Sequence, residues 1–391
     1  MKILIIGGGF AGLAAARELS TISRHHSVTL LDRNDFTTML PALPDLAGGK
    51  ISASALKYPI RKLVPDSVEF KRAEISLIDP VKKEVLTQTG TLCYDYLITA
   101  YGSRTDFYGF DQNPDALYTL DSLNSAIRMQ RDFRHYLKTS AQPGLVICGA
   151  GYTGLETAFS LRYLAEMSGC SGMSITMIEA GERILPFLSP WLHGYVTDLL
   201  RRRGITVMAG NSVSEFDGRC VTLKTGERIE NAFVCWCAGT RRAIEISGSP
   251  ESLKDGRLRT DAYLRVQGYP EVFAAGDAAA IEHNSSFLRK SVNFAIYSGK
   301  AVGRNLAATV TGGRMKPFVP IDAGWVIPLH ETAVGRLFDR YEIRGRLGLR
   351  LHYAMCGLRS RSLRNGLKFI KTAVKLFERG GTWHLISKQG F

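Results

Sequence analysis

Long apolar runs, paired cysteines and acidic residues near its end are what this 391-residue sequence has least of. No apolar stretch reaches the roughly 18 residues that cross a bilayer as a helix, so no membrane-spanning helix is expected. Seven cysteines (Cys93, Cys148, Cys170, Cys220, Cys235, Cys237, Cys356) are scattered with no C-x-x-C. That spacing speaks against a structural zinc site and a thioredoxin-type pair, and reduced thiols are expected. Met1 to Ile6 runs straight into a glycine turn, leaving no room for a signal peptide, so a cytoplasmic protein is expected. With 45% hydrophobic and 22% charged residues the composition is that of an ordinary globular chain, and the length predicts two or three domains.

The net charge of +14 is unevenly placed. Residues 340–391 hold 12 of the 50 basic residues and only two acids, Glu342 and Glu378, a net of +10 that leaves +4 for the rest. An anionic partner is therefore to be sought at the C-terminal end.

Lys2 to Ile6 is a short apolar, β-branched run, as expected of a buried parallel strand. Gly7-Gly8-Gly9-Phe10-Ala11-Gly12 then satisfies G-x-G-x-x-G, Leu13 to Leu19 is rich in helix formers, and Val28 to Leu31 reads as a second strand closing on Asp32 and Arg33. The first glycine permits the tight turn, the second lets backbone N–H groups approach a pyrophosphate, and the third lets helix pack on strand. Asp32 would accept from ribose hydroxyls.

The pattern recurs. Gly144 to Cys148 reads as a strand, Gly149-Ala150-Gly151-Tyr152-Thr153-Gly154 as the turn, Leu155 to Leu164 as the helix and Ser174 to Ile178 as the next strand, ending on Glu179. A short insertion at 169–172 absorbs the later arrival of the acid. Glu179 suits the free 2′-hydroxyl of NADH and repels the 2′-phosphate of NADPH, although Arg183 is close enough in sequence to serve a phosphate. Two such turns imply two Rossmann-like domains, most economically one for a flavin and one for a nicotinamide. Small-residue turns also follow apolar strands at Ala100-Tyr101-Gly102, at Ala238-Gly239-Thr240 and at Gly276-Asp277. Each lets the chain pass close to a ligand, and Asp277 could hold a polyol hydroxyl.

In order, these motifs resemble those of the two-dinucleotide-binding-domain flavoproteins. Leu31 to Asn34, Leu56 to Arg61 and Ile178 to Pro186 look most like the type II NADH dehydrogenases, the single-chain NADH:quinone oxidoreductases. The resemblance covers residues 1–335 and implies an α/β fold of two Rossmann-like, glutathione-reductase-type domains plus a C-terminal amphipathic helical segment. It implies FAD on 1–115 and 241–325, with Gly7, Gly9 and Gly12 at its pyrophosphate, Asp32 at its ribose and Asp277 at its ribityl chain. It implies NADH on 116–240, at Gly149, Gly151, Gly154 and Glu179, and a membrane-anchoring region at 326–391.

Glu156 matches an acid that faces the flavin in that family; its plain alternative is a helix N-terminal acid favoured by the macrodipole. The family's glutamine-bearing quinone segment is replaced here by Asn293-Phe294-Ala295-Ile296-Tyr297-Ser298-Gly299-Lys300, in which Asn293 and Tyr297 can still donate to a carbonyl. A sulfide:quinone oxidoreductase is the rival, but it needs two flavin-facing cysteines, where this chain offers only Cys170, beyond the helix, and Cys356. A redox-sensing or nucleic-acid-binding flavoprotein is a rival of another class. No metal is expected, and the sequence leaves a homodimer open.

Within the tail, Leu363, Leu367, Ile370, Val374 and Phe377 fall on one helical face, Arg364, Lys368, Lys371 and Lys375 beside them, and Phe369, Ala373 and Leu376 widen the apolar arc. A basic amphipathic helix of this kind lies on an anionic membrane, with Gly366 its weak point and 345–358 a second segment of the same kind. The expected location is thus the cytoplasmic side of the cell membrane, as a peripheral protein delivering electrons to a quinone. A core-packing helix and a nucleic-acid patch are the alternatives. The second is disfavoured because the cations share a separate stripe from the aromatics, and no nucleic acid is expected.

Overall fold

The computed structural model describes residues 1–110, 116–230, 232–248, 250–360, 362–378 and 387–388, with side chains for all of these but 372, 375–378, 387 and 388. In chain order the main elements begin with β1 (Lys2–Ile6), α1 (Phe10–Leu19), β2 (Ser27–Asp32), α2 (Leu43–Ala47), β3 (Glu69–Arg72) and β4 (Tyr96–Thr99). Next come α3 (Leu123–Thr139), β5 (Gly144–Cys148), α4 (Tyr152–Met167), β6 (Ser174–Glu179), α5 (Pro190–Arg202), β7 (Ile205–Ala209) and β8 (Ala232–Trp236). The chain continues with β9 (Arg265–Val266), β10 (Tyr269–Ala274), α6 (Val292–Thr311), β11 (Gly324–Leu329), β12 (Thr332–Leu337) and β13 (Tyr341–Gly345). It closes with α7 (Arg346–Arg359), α8 (Leu363–Glu378) and β14 (Ser387–Lys388).

These elements form two compact units. One is Met1–Thr38, Tyr58–Arg104 and Thr240–Asp322; the other is Met39–Lys57, Thr105–Gly239 and Ala323–Phe391. The division differs from the expected boundaries in three places, the first being that residues 105–110 belong to the second unit. Residues 39–57 group with the second unit, and the tail, expected as a region apart, is part of that unit as well.

In the first unit the sheet order is β9-β10-β4-β1-β2-β3, parallel except for the β9–β10 pair. Ile3, Ile5, Leu30, Leu97 and Ile98 are fully buried, which is why these strands read as continuous apolar runs. Helix α6 lies on α1 through small residues. A Cβ on Gly299 would stand 2.3 Å from the Ala11 carbonyl oxygen and one on Gly303 2.8 Å from that of Ala15, so the glycine pair sets the close helix approach. The second unit repeats the strand arrangement as β7-β6-β5-β8, all parallel. It adds an antiparallel sheet, β11-β12-β13-β14, on which α7 packs.

Gly345 to Leu358, expected as a second surface segment, is instead largely a core helix: Leu349, His352, Tyr353 and Cys356 of α7 are buried. Helix α8 packs on α7 with Asn365, Gly366, Phe369 and Ala373 inward, so Phe369 and Ala373 leave the outer apolar arc. Gly366 is no weak point. A Cβ there would meet the Gly357 carbonyl oxygen at 3.0 Å, so two glycines make the helix contact. Leu363 (91% exposed), Leu367, Ile370 and Val374 remain outside beside the exposed Arg364, Lys368 and Lys371. The Lys375, Leu376 and Phe377 side chains lie outside the described residues. No helix among the described residues is long and apolar enough to cross a membrane.

Candidate dinucleotide and redox sites

Both glycine turns have the same construction. Gly7 has φ +104°, and a Cβ on it would stand 2.3 Å from the Ala100 carbonyl oxygen; Gly149 has φ +96° and would meet the Cys237 carbonyl oxygen at 2.7 Å. Gly12 would clash at 1.8 Å with the carbonyl oxygen of Gly7, and Gly154 at 1.9 Å with that of Gly149, so in each turn only glycine lets the helix sit this close to the strand. The middle glycines differ in kind: a Cβ on Gly9 or Gly151 would meet nothing within 4 Å. These same residues are the N-caps of α1 and α4, and neither helix has a side-chain cap. Each turn therefore sets the positive end of a helix without a side-chain cap beside open space at its middle glycine, an arrangement suited to a pyrophosphate.

The acids at the ends of β2 and β6 are tied back to their turns. Asp32 accepts from the Gly8 N–H at 2.6 Å and the Asn34 N–H at 2.8 Å. Glu179 accepts from the Ala150 N–H at 2.7 Å and the Gly181 N–H at 2.9 Å. Burial pushes the Asp32 carboxyl above its ordinary range, against the pull of those two N–H bonds and of Arg33. Arg33 itself is exposed. Arg183, the residue that left NADPH open, donates to the Leu188 carbonyl at 3.3 Å.

Around the second turn, Tyr152 stacks on Phe187 with ring centroids 5.1 Å apart, and the Thr153 carbonyl accepts from the Thr157 hydroxyl at 2.6 Å. Gly239, with φ +148°, lies under the Tyr108 ring. In the first unit, Phe10 is half-buried, Ala11 and Ala100 are buried, and Gly102 has φ +74° in open space. Asp277 accepts from the Ser103 hydroxyl at 3.0 Å, and burial raises its pKa although Lys290 opposes this. The Gly276 N–H donates to Ser298 Oγ at 3.0 Å. Asp277, Gly276, Lys290, Phe294 and Ala295 line one cleft of this unit. Sequence reading passed over Ser103, Lys290 and Ser298, single polar residues with no spacing signal.

The candidate quinone-side residues divide between two faces of α6. Phe294 is buried beneath the Arg289 guanidinium, 5.3 Å from the ring centroid, and Ala295 lies against Gly276. Asn293, Tyr297 and Lys300 follow one another at helical spacing on the outer side, with Tyr297 and Lys300 exposed. In the second unit, Glu156 sits in the first turns of α4, its carboxyl held well above the ordinary range by burial and by the nearby Asp45, with Lys50 opposing.

The family model for pyridine nucleotide-disulphide oxidoreductases matches residues 1–299. The chain belongs to this family. Among curated relatives, the type II NADH:quinone oxidoreductase of Staphylococcus saprophyticus is 27% identical over 371 residues, covering 88% of this chain and 91% of its own. That of Staphylococcus aureus strain MSSA476 is 27% identical over 368 residues, covering 87% and 90%. Among solved structures, NDH2 from Plasmodium falciparum in complex with NADH aligns with TM-score 0.83 at 16% identity, over 96% of this chain and 97% of that one. The sulfide:quinone oxidoreductase of Aquifex aeolicus aligns with TM-score 0.79 at 20% identity, over 99% and 97%. These likenesses establish the fold, two dinucleotide-binding units with a C-terminal segment.

For a family named for a disulphide, the cysteines are notable. All seven are free. Cys170 lies past the C-terminal end of α4, its Sγ 3.7 Å from the Leu137 carbonyl oxygen, at the opposite end of the helix from the glycine turn. Cys356 is buried 3.7 Å from His352 Nε2, and burial pushes its thiol up to about 12.

Proposed function

We propose that the protein is an FAD-dependent NADH:quinone oxidoreductase. The first unit holds FAD, with the pyrophosphate on the α1 turn, Asp32 on the adenosine ribose and Asp277 on the ribityl chain. The second holds NADH on the α4 turn, with Glu179 on the ribose. The observation that carries this reading is the duplicated turn: an uncapped helix start, an open middle glycine and an acid tied to the turn backbone, built twice in one chain. The relatives called type II NADH:quinone oxidoreductases support the choice of donor and acceptor. Flavin supplies the step from two-electron donor to acceptor; the chain's own residues bind, orient and manage protons. The Glu179 carboxylate, held within its turn, is set against a 2′-phosphate, and Arg183 already donates to Leu188, so NADH is the donor in this reading.

Helix α8 is the element we assign to an anionic membrane on the cytoplasmic side, where quinone is dissolved. The support is its exposed stripe of Leu363, Leu367, Ile370 and Val374 beside Arg364, Lys368 and Lys371. Asn293, Tyr297 and Lys300 on α6 are the candidate contacts to the quinone.

The sulfide:quinone reading needs two thiols working at the flavin, and neither the remote Cys170 nor the high-pKa Cys356 is poised for attack. The test is steady-state turnover of the purified flavoprotein with a short-chain quinone and either NADH or sulfide, in wild type and in Cys356→Ser. The account expects NADH-driven turnover kept within about two-fold in the variant. Turnover on sulfide alone, lost in the variant, would establish the rival.

A further inference from the structure

The loop from β6 to α5 carries more than the acid at its start. Glu179 begins it, accepting from the Gly181 N–H, and Ser189 ends it as the N-cap of α5. Ser189 also donates to Glu342 Oε2 at 2.6 Å, and Glu342, buried in β13, pairs with Arg336 of β12 at 3.0 Å. Between these fixed ends Leu185 is buried at φ +41°, a left-handed conformation that a leucine keeps only where its surroundings impose it. Two residues past that strained point the loop presents Phe187, 41% exposed.

Phe187 lies on Tyr152, the first residue of α4, with the two rings 13° from parallel. Trp325 of β11 meets both rings edge-on, its centroid 5.3 Å from that of Phe187 and 5.8 Å from that of Tyr152. A stacked pair held by a third ring at right angles is a favourable aromatic arrangement, and it fixes where each ring lies. All three rings keep part of their surface in water, so the trio is not a closed core. Tyr152 directly follows Gly151, whose Cα faces open space, and Glu156 follows Tyr152 by one helical turn on the same face of α4. In the NADH reading Glu179 takes the adenosine ribose and Glu156 marks the flavin side of α4, so the trio stands at the nicotinamide end of the turn.

We propose that Tyr152, Phe187 and Trp325 form an aromatic wall that receives the nicotinamide ring of the dinucleotide, with Trp325 as the positioning residue supplied by the C-terminal sheet. The proposal rests on the NADH:quinone reading and deepens it. Flat apolar ring faces suit the uncharged ring of NADH, and they attract the cationic ring of NAD as well. The sheet β11-β12-β13, most of which falls in the region expected to serve the membrane, then has a part in substrate binding. Trp325 contributes to it directly, and Arg336 and Glu342 contribute by holding Ser189 and with it the loop that carries Phe187.

The experiment uses the full-length holoenzyme with its flavin oxidised, and two probes that cannot reduce it, NAD and ADP-ribose. ADP-ribose has the adenosine, the pyrophosphate and the second ribose but no nicotinamide ring. Dissociation constants are measured by calorimetry for wild type, Phe187→Leu, Trp325→Leu and Trp325→Phe. The expected result for Phe187→Leu is NAD binding weakened about ten-fold with ADP-ribose within about two-fold of wild type. Trp325→Leu keeps the same split, and Trp325→Phe recovers most of the loss because it restores an aromatic edge. In turnover with NADH, KM rises in Phe187→Leu while kcat stays within about two-fold, as expected when binding alone is removed.

Phe187 is exposed, so leucine there leaves the fold intact and the comparison holds whatever the Trp325 variants do to stability. Equal losses for NAD and ADP-ribose, NAD binding unchanged in Phe187→Leu, or no recovery in a folded Trp325→Phe overturn the wall. A wild-type protein that binds neither NAD nor ADP-ribose overturns the parent reading instead.

Discussion

Asp32 and Glu179 each accept with both carboxylate oxygens, one from a backbone N–H of the glycine turn and one from the N–H two residues further on, so their remaining lone pairs are aimed by the main chain. A carboxylate fixed in this way discriminates by charge, and its amide counterpart does not. In Glu179→Gln the preference for NADH over NADPH, read as the ratio of kcat/KM values, should fall about ten-fold while Asp32 and FAD content are unaffected. The first and third glycines of both turns were legible because steric close approach admits no Cβ there, while the middle glycines and the acids were read from the spacing of the motif. Asp45 and Lys50 were not legible: an acid within Leu40 to Ala47 breaks an apolar run, yet nothing local says which helices will close over it.

Glu156 makes a second prediction at this scale. Burial and Asp45 raise its folded pKa, so the folded state binds a proton more tightly than the unfolded chain. Its contribution to stability is complete below about pH 4.3 and is lost as pH rises toward the folded value. Urea midpoints measured across that range should decline more steeply in wild type than in Glu156→Gln. Parallel declines would contradict the burial account.

At the scale of elements, the tail divides in a way its composition concealed. Helical periodicity correctly placed Leu363, Leu367, Ile370 and Val374 on one stripe, but periodicity cannot say whether water or protein covers a stripe. The structure puts α7 in the core of its unit and turns Phe369 and Ala373 of α8 onto it, through the Gly357–Gly366 contact. Removing residues 340–391 would therefore strip β13 and α7 from a folded sheet and test folding rather than location. Replacing Leu363 and Leu367 by serine instead removes about 3 kcal/mol of apolar insertion, about a hundred-fold in partition onto anionic vesicles, with thermal stability kept. Vesicle sedimentation that does not change would assign the stripe another role.

At the scale of the molecule, the two units hold the same strand–turn–helix–strand–acid device, and that repetition is what points to a two-nucleotide enzyme. The repeated turns were readable because each is local, within about 35 residues of chain. The allocation of 39–57 to the second unit was not, since it depends on contacts such as Gly48 with Ser160, made across more than a hundred residues of sequence. With +10 of the +14 charge in the last 52 residues, the excess belongs to the C-terminal part of the sequence.

The central claim, one flavin reduced by NADH and reoxidised by quinone, is met most directly by an anaerobic titration of the purified yellow protein. The account predicts that one equivalent of NADH per FAD bleaches the visible flavin band and that one equivalent of quinone restores it, with NAD and quinol recovered in equal amounts. A band that NADH leaves untouched, or that quinone fails to restore, would contradict it.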